Sequence, residues 1–197
     1  MTPKLKTGDE LFYQHGQSLG FNLIEFWRWS ASDLITNTAR GILAEFIVAK
    51  ALDVSAGVRY DWGACDLEIR VDGKIVKIEV KSKAYLQSWE QNTLRLDPLF
   101  VAKKARPLDE NKGGYSGEPR RQADVYVFAL LAEKDKSKVD PMDLDQWQFF
   151  VLPTSVLNNR ERSQHSITLK SLKELPETVE VDFAGLKKAV FDASKQA

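Results

Sequence analysis

The sequence predicts a single α/β domain, one central mixed sheet flanked by α-helices. Three observations lead there: helical apolar spacing over residues 33–52, a two-residue hairpin signal over residues 64–81, and two later apolar runs that read as buried strands. At 197 residues the chain fits one domain, 1–197, with an N-terminal arm at 1–18 and a long loop at 106–122.

The stretch LGFNLIEFWRW is rich in aromatics and is closed by Ser30, Ala31, Ser32 and Asp33. Either serine is suited to cap the following helix, with Asp33 complementing its N-terminal dipole. Leu34, Ile35, Ile42, Phe46, Ala49 and Leu52 recur at helical spacing, and GILAEFIVAKAL is apolar nearly all round. A helix of that kind is expected to be buried, so Glu45 and Lys50 need an explanation.

ACDLEIRV, then Asp72-Gly73, then KIVKIEVK reads as a hairpin with a two-residue turn. LFVAKKA after Pro98 reads as a short helix opened by proline. Residues 106–122 (RPLDENKGGYSGEPRRQ) have no apolar rhythm and form the expected loop, mobile or functional. ADVYVFALL and QWQFFVL are the buried strands, Pro153-Thr154 opens a helical turn, residues 166–169 suggest a last short strand, and Asp182 is placed to cap a C-terminal helix.

Lysine plus arginine and aspartate plus glutamate number 28 each, so any nucleic-acid affinity has to come from local patches. The lone Cys65 excludes an internal disulfide and a zinc–cysteine site. The N-terminus lacks an apolar core of signal-peptide length and no stretch is long enough to span a membrane, so the expectation is a cytoplasmic, soluble protein. His15 and His165 are too few and too scattered for a histidine metal centre.

A turn at Asp72-Gly73 fixes the hairpin register, because opposed residues then have numbers summing to 145. Cys65, Leu67, Ile69, Val71, Val76, Ile78 and Val80 share an apolar face; Asp66, Glu68, Arg70, Lys77, Glu79 and Lys81 share a polar one. Glu68 opposes Lys77 favourably, but Asp66 opposes Glu79, a like-charge pair. A divalent cation would offset it, and two carboxylates open to water suit magnesium or manganese. An ordinary solvated sheet face of mixed charge remains the alternative.

Asp66, Glu79-Val80-Lys81 and Glu45 on the preceding helix resemble, in order and spacing, the signature of the PD-(D/E)xK, or restriction-endonuclease-like, nuclease superfamily. The pattern FWRWSASDL…RGILAEFIVAKAL…EVKSKAYLQSW looks like a bacterial branch of it. Cys65 stands where the motif has proline, and Gln87 with Gln91 does not reproduce the glutamine-and-tyrosine helix of one exonuclease-like branch. The resemblance implies a restriction-endonuclease-like fold and a nuclease dependent on Mg2+ or Mn2+. Asp66, Glu79 and the Val80 carbonyl would hold the metal, Lys81 would position or help deprotonate water, and Glu45 would support either. DNA is the implied partner, RNA is not excluded, and a homodimer is compatible; a non-catalytic nucleic-acid-binding or interaction module on the same fold is the other reading.

For Glu45 the competing role is a structural ion pair, for instance with Arg40. Lys103, Lys104, Arg120 and Arg121 bracket the glycine-rich segment and are placed to grip phosphates, or simply to solvate a loop. Tyr115 and Trp89 are candidates for base contacts; the other tryptophans are assigned to packing.

Overall fold

Asp72 (φ 49°) and Gly73 (φ 80°) both occupy left-handed backbone, the conformation a two-residue hairpin turn requires. They join strands β3 (Leu67–Val71) and β4 (Lys74–Ala84) in the expected register, Glu68 opposite Lys77 and Ile69 opposite Val76. The computed structural model describes residues 3–61, 63–109, 114–161 and 163–196, without the side chains of residues 108 and 109.

Ahead of this hairpin lie β1 (Leu11–Gln14), β2 (Gln17–Asn22), α1 (Leu23–Ala31) and α2 (Asn37–Ala51). The expected N-terminal arm is thus part of a β-hairpin running into a helix. Asn22 caps α1 in a reciprocal box with Glu25. Trp29 is 85 % exposed and α1 buries no residue. The serines expected to cap the next helix do not: Thr36 accepts the Ala39 N–H at 3.3 Å, and Asp33 instead accepts the Ile35 N–H in a local turn. α2 is also less buried than its composition implies. Arg40, Ala44, Ile47, Val48 and Ala49 face inward, while Ile42 and Phe46 are exposed.

After β4 come β5 (Leu99–Val101), β6 (Leu108–Asp109), β7 (Gly114–Tyr115), β8 (Val125–Leu131), β9 (Trp147–Pro153), α3 (Thr154–Asn158), β10 (Ser166–Thr168), α4 (Leu169–Lys173), β11 (Val179–Val181) and α5 (Leu186–Ser194). The five-stranded sheet has the order β11-β9-β8-β4-β3; β4 and β8 are parallel, and the other neighbours are antiparallel. This is a mixed α/β fold built on a mixed central sheet.

β8 alternates between two cores. Val125, Val127, Ala129 and Leu131 pack with α2 and α5; Tyr126, Phe128 and Leu130 pack under β5, β10, α3 and α4. Each such aliphatic side chain contributes about 1.5–3 kcal/mol. The helix expected at LFVAKKA is a strand, because Phe100 is fully buried against β10 between exposed Leu99 and Val101, a period of two. Asp182 accepts the Gly185 N–H one turn before α5 rather than capping the helix itself. The tryptophans divide: Trp147 is buried and donates to the Pro141 carbonyl at 2.9 Å, while Trp27, Trp29 and Trp89 are exposed. Trp62 lies outside the described residues.

The expected loop at 106–122 is more ordered than its composition suggests. Ala105 and Arg120 form a β-bridge at its base, and β6 pairs with β7 further out; residues 110–113 lie outside the described residues. Among the described residues no helix is long and apolar enough to cross a membrane.

Candidate active site

The ladder between β3 and β4 ends with Leu67 opposite Ile78, yet β4 runs on to Ala84, where among the described residues it pairs only with β8. Beyond Ile78, one edge of β4 is therefore open. In an extended strand a residue's N–H and C=O project to the same edge, and successive residues alternate. Lys77 exchanges both groups with Asp124 on the β8 side, the N–H with the carboxylate and the C=O with the N–H, each at 2.8 Å. Val80 and Ser82, of opposite parity, direct theirs to the open edge.

Asp66 occupies that opening. Its N–H donates to the Ile78 carbonyl at 3.1 Å, and its carboxylate accepts the Val80 N–H at 2.7 Å. The ladder stops one pair short of Asp66 and Glu79, and the Asp66 N–H bonds one residue off the hairpin register, to Ile78 instead of lying opposite Glu79; its carboxylate replaces a missing strand as the acceptor for Val80. Glu79 and Lys81 lie on the Tyr126 face of β4 and form an ion pair, with side chains 22 % and 32 % exposed. Burial raises the Glu79 pKa above the ordinary carboxylate value; Lys81 opposes the shift, while Asp66 and Glu45 add to it. Tyr126, buried beside Glu79, is raised by burial and then by the Glu79 charge.

Glu45 belongs to the same electrostatic group, but its partner is not Arg40. Arg59 grips it with two hydrogen bonds, Nη2 to Oε1 at 2.9 Å and Nε to Oε2, and also contacts Asp61. The Arg59 pKa is raised first by Glu45, and Asp66 contributes. Residues 53–63 carry no motif that points to Arg59; the clue in the sequence is a Glu45 on an apolar face, which requires a cation. Glu45, Arg59 and Asp66 line a pocket of about 310 Å³ whose other walls include Ile42, Phe46 and Val58.

Arg40 is instead buried, 1 % exposed, and donates to the Ile35 carbonyl (2.8 Å), Asn37 Oδ1 (2.7 Å) and Ser82 Oγ (3.2 Å), all neutral acceptors. Burial lowers its pKa to about 10, so it stays charged at neutral pH.

Two expectations about neighbouring residues need correction. Cys65 precedes β3, so the strand alternation does not govern it: it packs with the Tyr126 core rather than with Leu67 and Ile69, and burial pushes its thiol up to about 11. Arg121 is 7 % exposed, and its guanidinium donates to the Ala102 and Gln164 carbonyls, Asn158 Oδ1 and Gln164 Oε1. It fastens the base of the 106–122 excursion and is not available to grip phosphates. Lys103, Lys104, Arg120 and Tyr115 are exposed, and none of them enters the Asp66–Glu79 group.

The donor set is two carboxylates and one main-chain carbonyl, all hard oxygens of the kind magnesium and manganese prefer. Among the described residues no group of three or more His, Cys, Asp or Glu side chains converges as a metal cluster. The chain matches no family model, no curated protein and no solved structure.

Proposed function

We propose that this protein is a Mg2+- or Mn2+-dependent nuclease of restriction-endonuclease-like fold, hydrolysing phosphodiester bonds in DNA, with RNA as the other candidate substrate. The observation that carries the reading is the gathering of Asp66, Glu79, Val80 and Lys81 where β4 outruns β3. Asp66, Glu79 and the Val80 carbonyl would hold the ion, which, when bound, neutralises charge on the phosphate and lowers the pKa of a water. Lys81 balances Glu79 and offers an ammonium donor to a phosphate oxygen or to the attacking water. Glu45, held by Arg59 and lining the same pocket as Asp66, would support the water.

Cleavage of single-stranded, duplex and branched DNA in Mn2+ tests this. Asp66→Ala and Asp66→Asn are expected to lose about a thousandfold in rate, the scale of removing a principal electrostatic group. Full activity in folded Asp66→Asn protein would sink the reading.

One observation favours a non-catalytic module on the same fold: Glu45 and Glu79 already have cationic partners within the chain. Calorimetric titration with Mn2+ separates the two. The nuclease binds the ion and loses it on Glu79→Ala, whereas the module shows neither effect.

A further inference from the structure

The face of β4 that carries Glu79 and Lys81 continues to Lys83, and the chemistry changes there. Lys83 opens onto a second pocket, about 510 Å³, whose lining includes Asn37, Gln87, Trp89, Gln91 and Arg95 and, among the described residues, no Asp or Glu. Four sources of positive charge converge on it. Lys83 and Arg95 stand in the wall. Arg40 lies buried behind, joined to the lining residue Asn37 and to Ser82, and satisfied only by neutral acceptors. Asn37 is also the first residue of α2, a helix of 15 residues whose N-terminus brings its own partial positive charge. Lys83 is lowered in pKa by burial and by Arg40 and Arg95, with no carboxylate acting on it.

Arg40 and Arg95 act on Lys83 as like charges, and an anion from outside relieves that repulsion; the carboxylates of Asp97 and Glu180 act on Tyr85 in the same lining, not on Lys83. Gln87 and Gln91 offer side-chain amides, although Gln91 Oε1 accepts the Gln87 N–H (2.7 Å) and its Nε2 donates to the Tyr85 carbonyl (3.2 Å). Trp89, 56 % exposed, supplies a flat apolar wall on which a base stacks. Lys83 is four residues from Glu79 on the same face, about 13 Å along the strand, a span that a few nucleotides cover.

We propose that this pocket is a phosphate subsite that holds a polynucleotide strand by a phosphate group other than the one cleaved. The inference rests on the nuclease reading for its substrate class, but the phosphate chemistry is the pocket's own. The group is either the terminal monoester of a strand end or an internal diester.

Fluorescence anisotropy of a labelled oligonucleotide, bearing either a 5′-phosphate or a 5′-hydroxyl, tests it in EDTA, where nothing is cleaved. Lys83→Ala and Arg95→Ala are each expected to weaken binding about tenfold and to reduce the salt dependence by roughly one charge, with Lys83→Arg restoring most of the affinity. Loss confined to the 5′-phosphorylated strand assigns the terminal phosphate; equal loss on both assigns an internal diester. Unchanged affinity in both alanine variants, or no binding by the wild-type protein, overturns the subsite. The nuclease reading is judged separately in Mn2+. Weakened binding with no cleavage by the wild type leaves the subsite and removes the nuclease; cleavage with unaffected binding does the reverse.

Discussion

The two ends of the open edge of β4 handle charge in opposite ways. At the Glu79 end, acids and bases meet in pairs: Lys81 with Glu79, Arg59 with Glu45, and the Asp66 carboxylate with a main-chain N–H. At the Lys83 end, Arg40, Lys83 and Arg95 gather without a carboxylate in the pocket wall among the described residues. One strand, through its alternation, presents both. A charge group neutralised within the chain holds its geometry without a ligand, whereas one left uncompensated favours whatever ligand supplies the missing sign. On the proposed reading, the first region carries out the chemistry and the second holds the strand.

The largest test of this contrast lies at Arg40. Arg40→Ala leaves the Ile35 carbonyl, Asn37 Oδ1 and Ser82 Oγ without their donor and opens a cavity, at a cost of about 3–5 kcal/mol, or about 10 °C in Tm. A loss below about 1 kcal/mol in thermal denaturation would mean that no buried cation backs the pocket. Next is Arg59→Met, which removes a cation competing for the carboxylates. Mn2+ affinity by calorimetric titration is expected to rise several-fold, with a small loss of stability because Arg59 is partly exposed. A fall in affinity would show that Arg59 organises the acids rather than neutralising them.

The smallest effect is expected at Glu79. Its pKa is raised on folding, so the folded state binds that proton more tightly than the unfolded chain does. Stability from this group is therefore present below the ordinary glutamate pKa and is lost as pH rises through the raised value. Glu79→Gln removes the loss, so the variant should melt above the wild type at pH 8 and at nearly the same temperature in acid. Equal melting curves at pH 8 would mean that Lys81 fully compensates the carboxylate.

Local chemistry made much of this legible in the sequence. Asp72-Gly73 fixed a register that the structure keeps from Val71 and Lys74 to Leu67 and Ile78; at Asp66 the bonding slips by one residue, to the Ile78 carbonyl, so the expected opposition of Asp66 and Glu79 is not part of the ladder. β8 and β9 were legible as continuous apolar runs because both faces of the sheet are covered. What escaped depended on distant partners. β5 is a strand because β10 lies beside it, and β11 has only three residues, too few for a pattern. Arg59 joins the site through a turn without sequence signal, and Arg121 turns inward because carbonyls distant in sequence accept its protons. Ile42 and Phe46 misled in the other direction: composition cannot say which apolar side chains find a neighbour.

The bond from the Val80 N–H to Asp66 also bears on whether another chain can add itself to this edge. A strand edge with unpaired donors invites another chain to add itself, and a carboxylate that occupies the donor and carries a negative charge blocks such zippering. Asp66→Ala exposes that donor and so risks self-association as well as inactivity. Asp66→Asn keeps an oxygen in place to accept the bond. Light scattering on the two variants would therefore differ even where their cleavage rates agree.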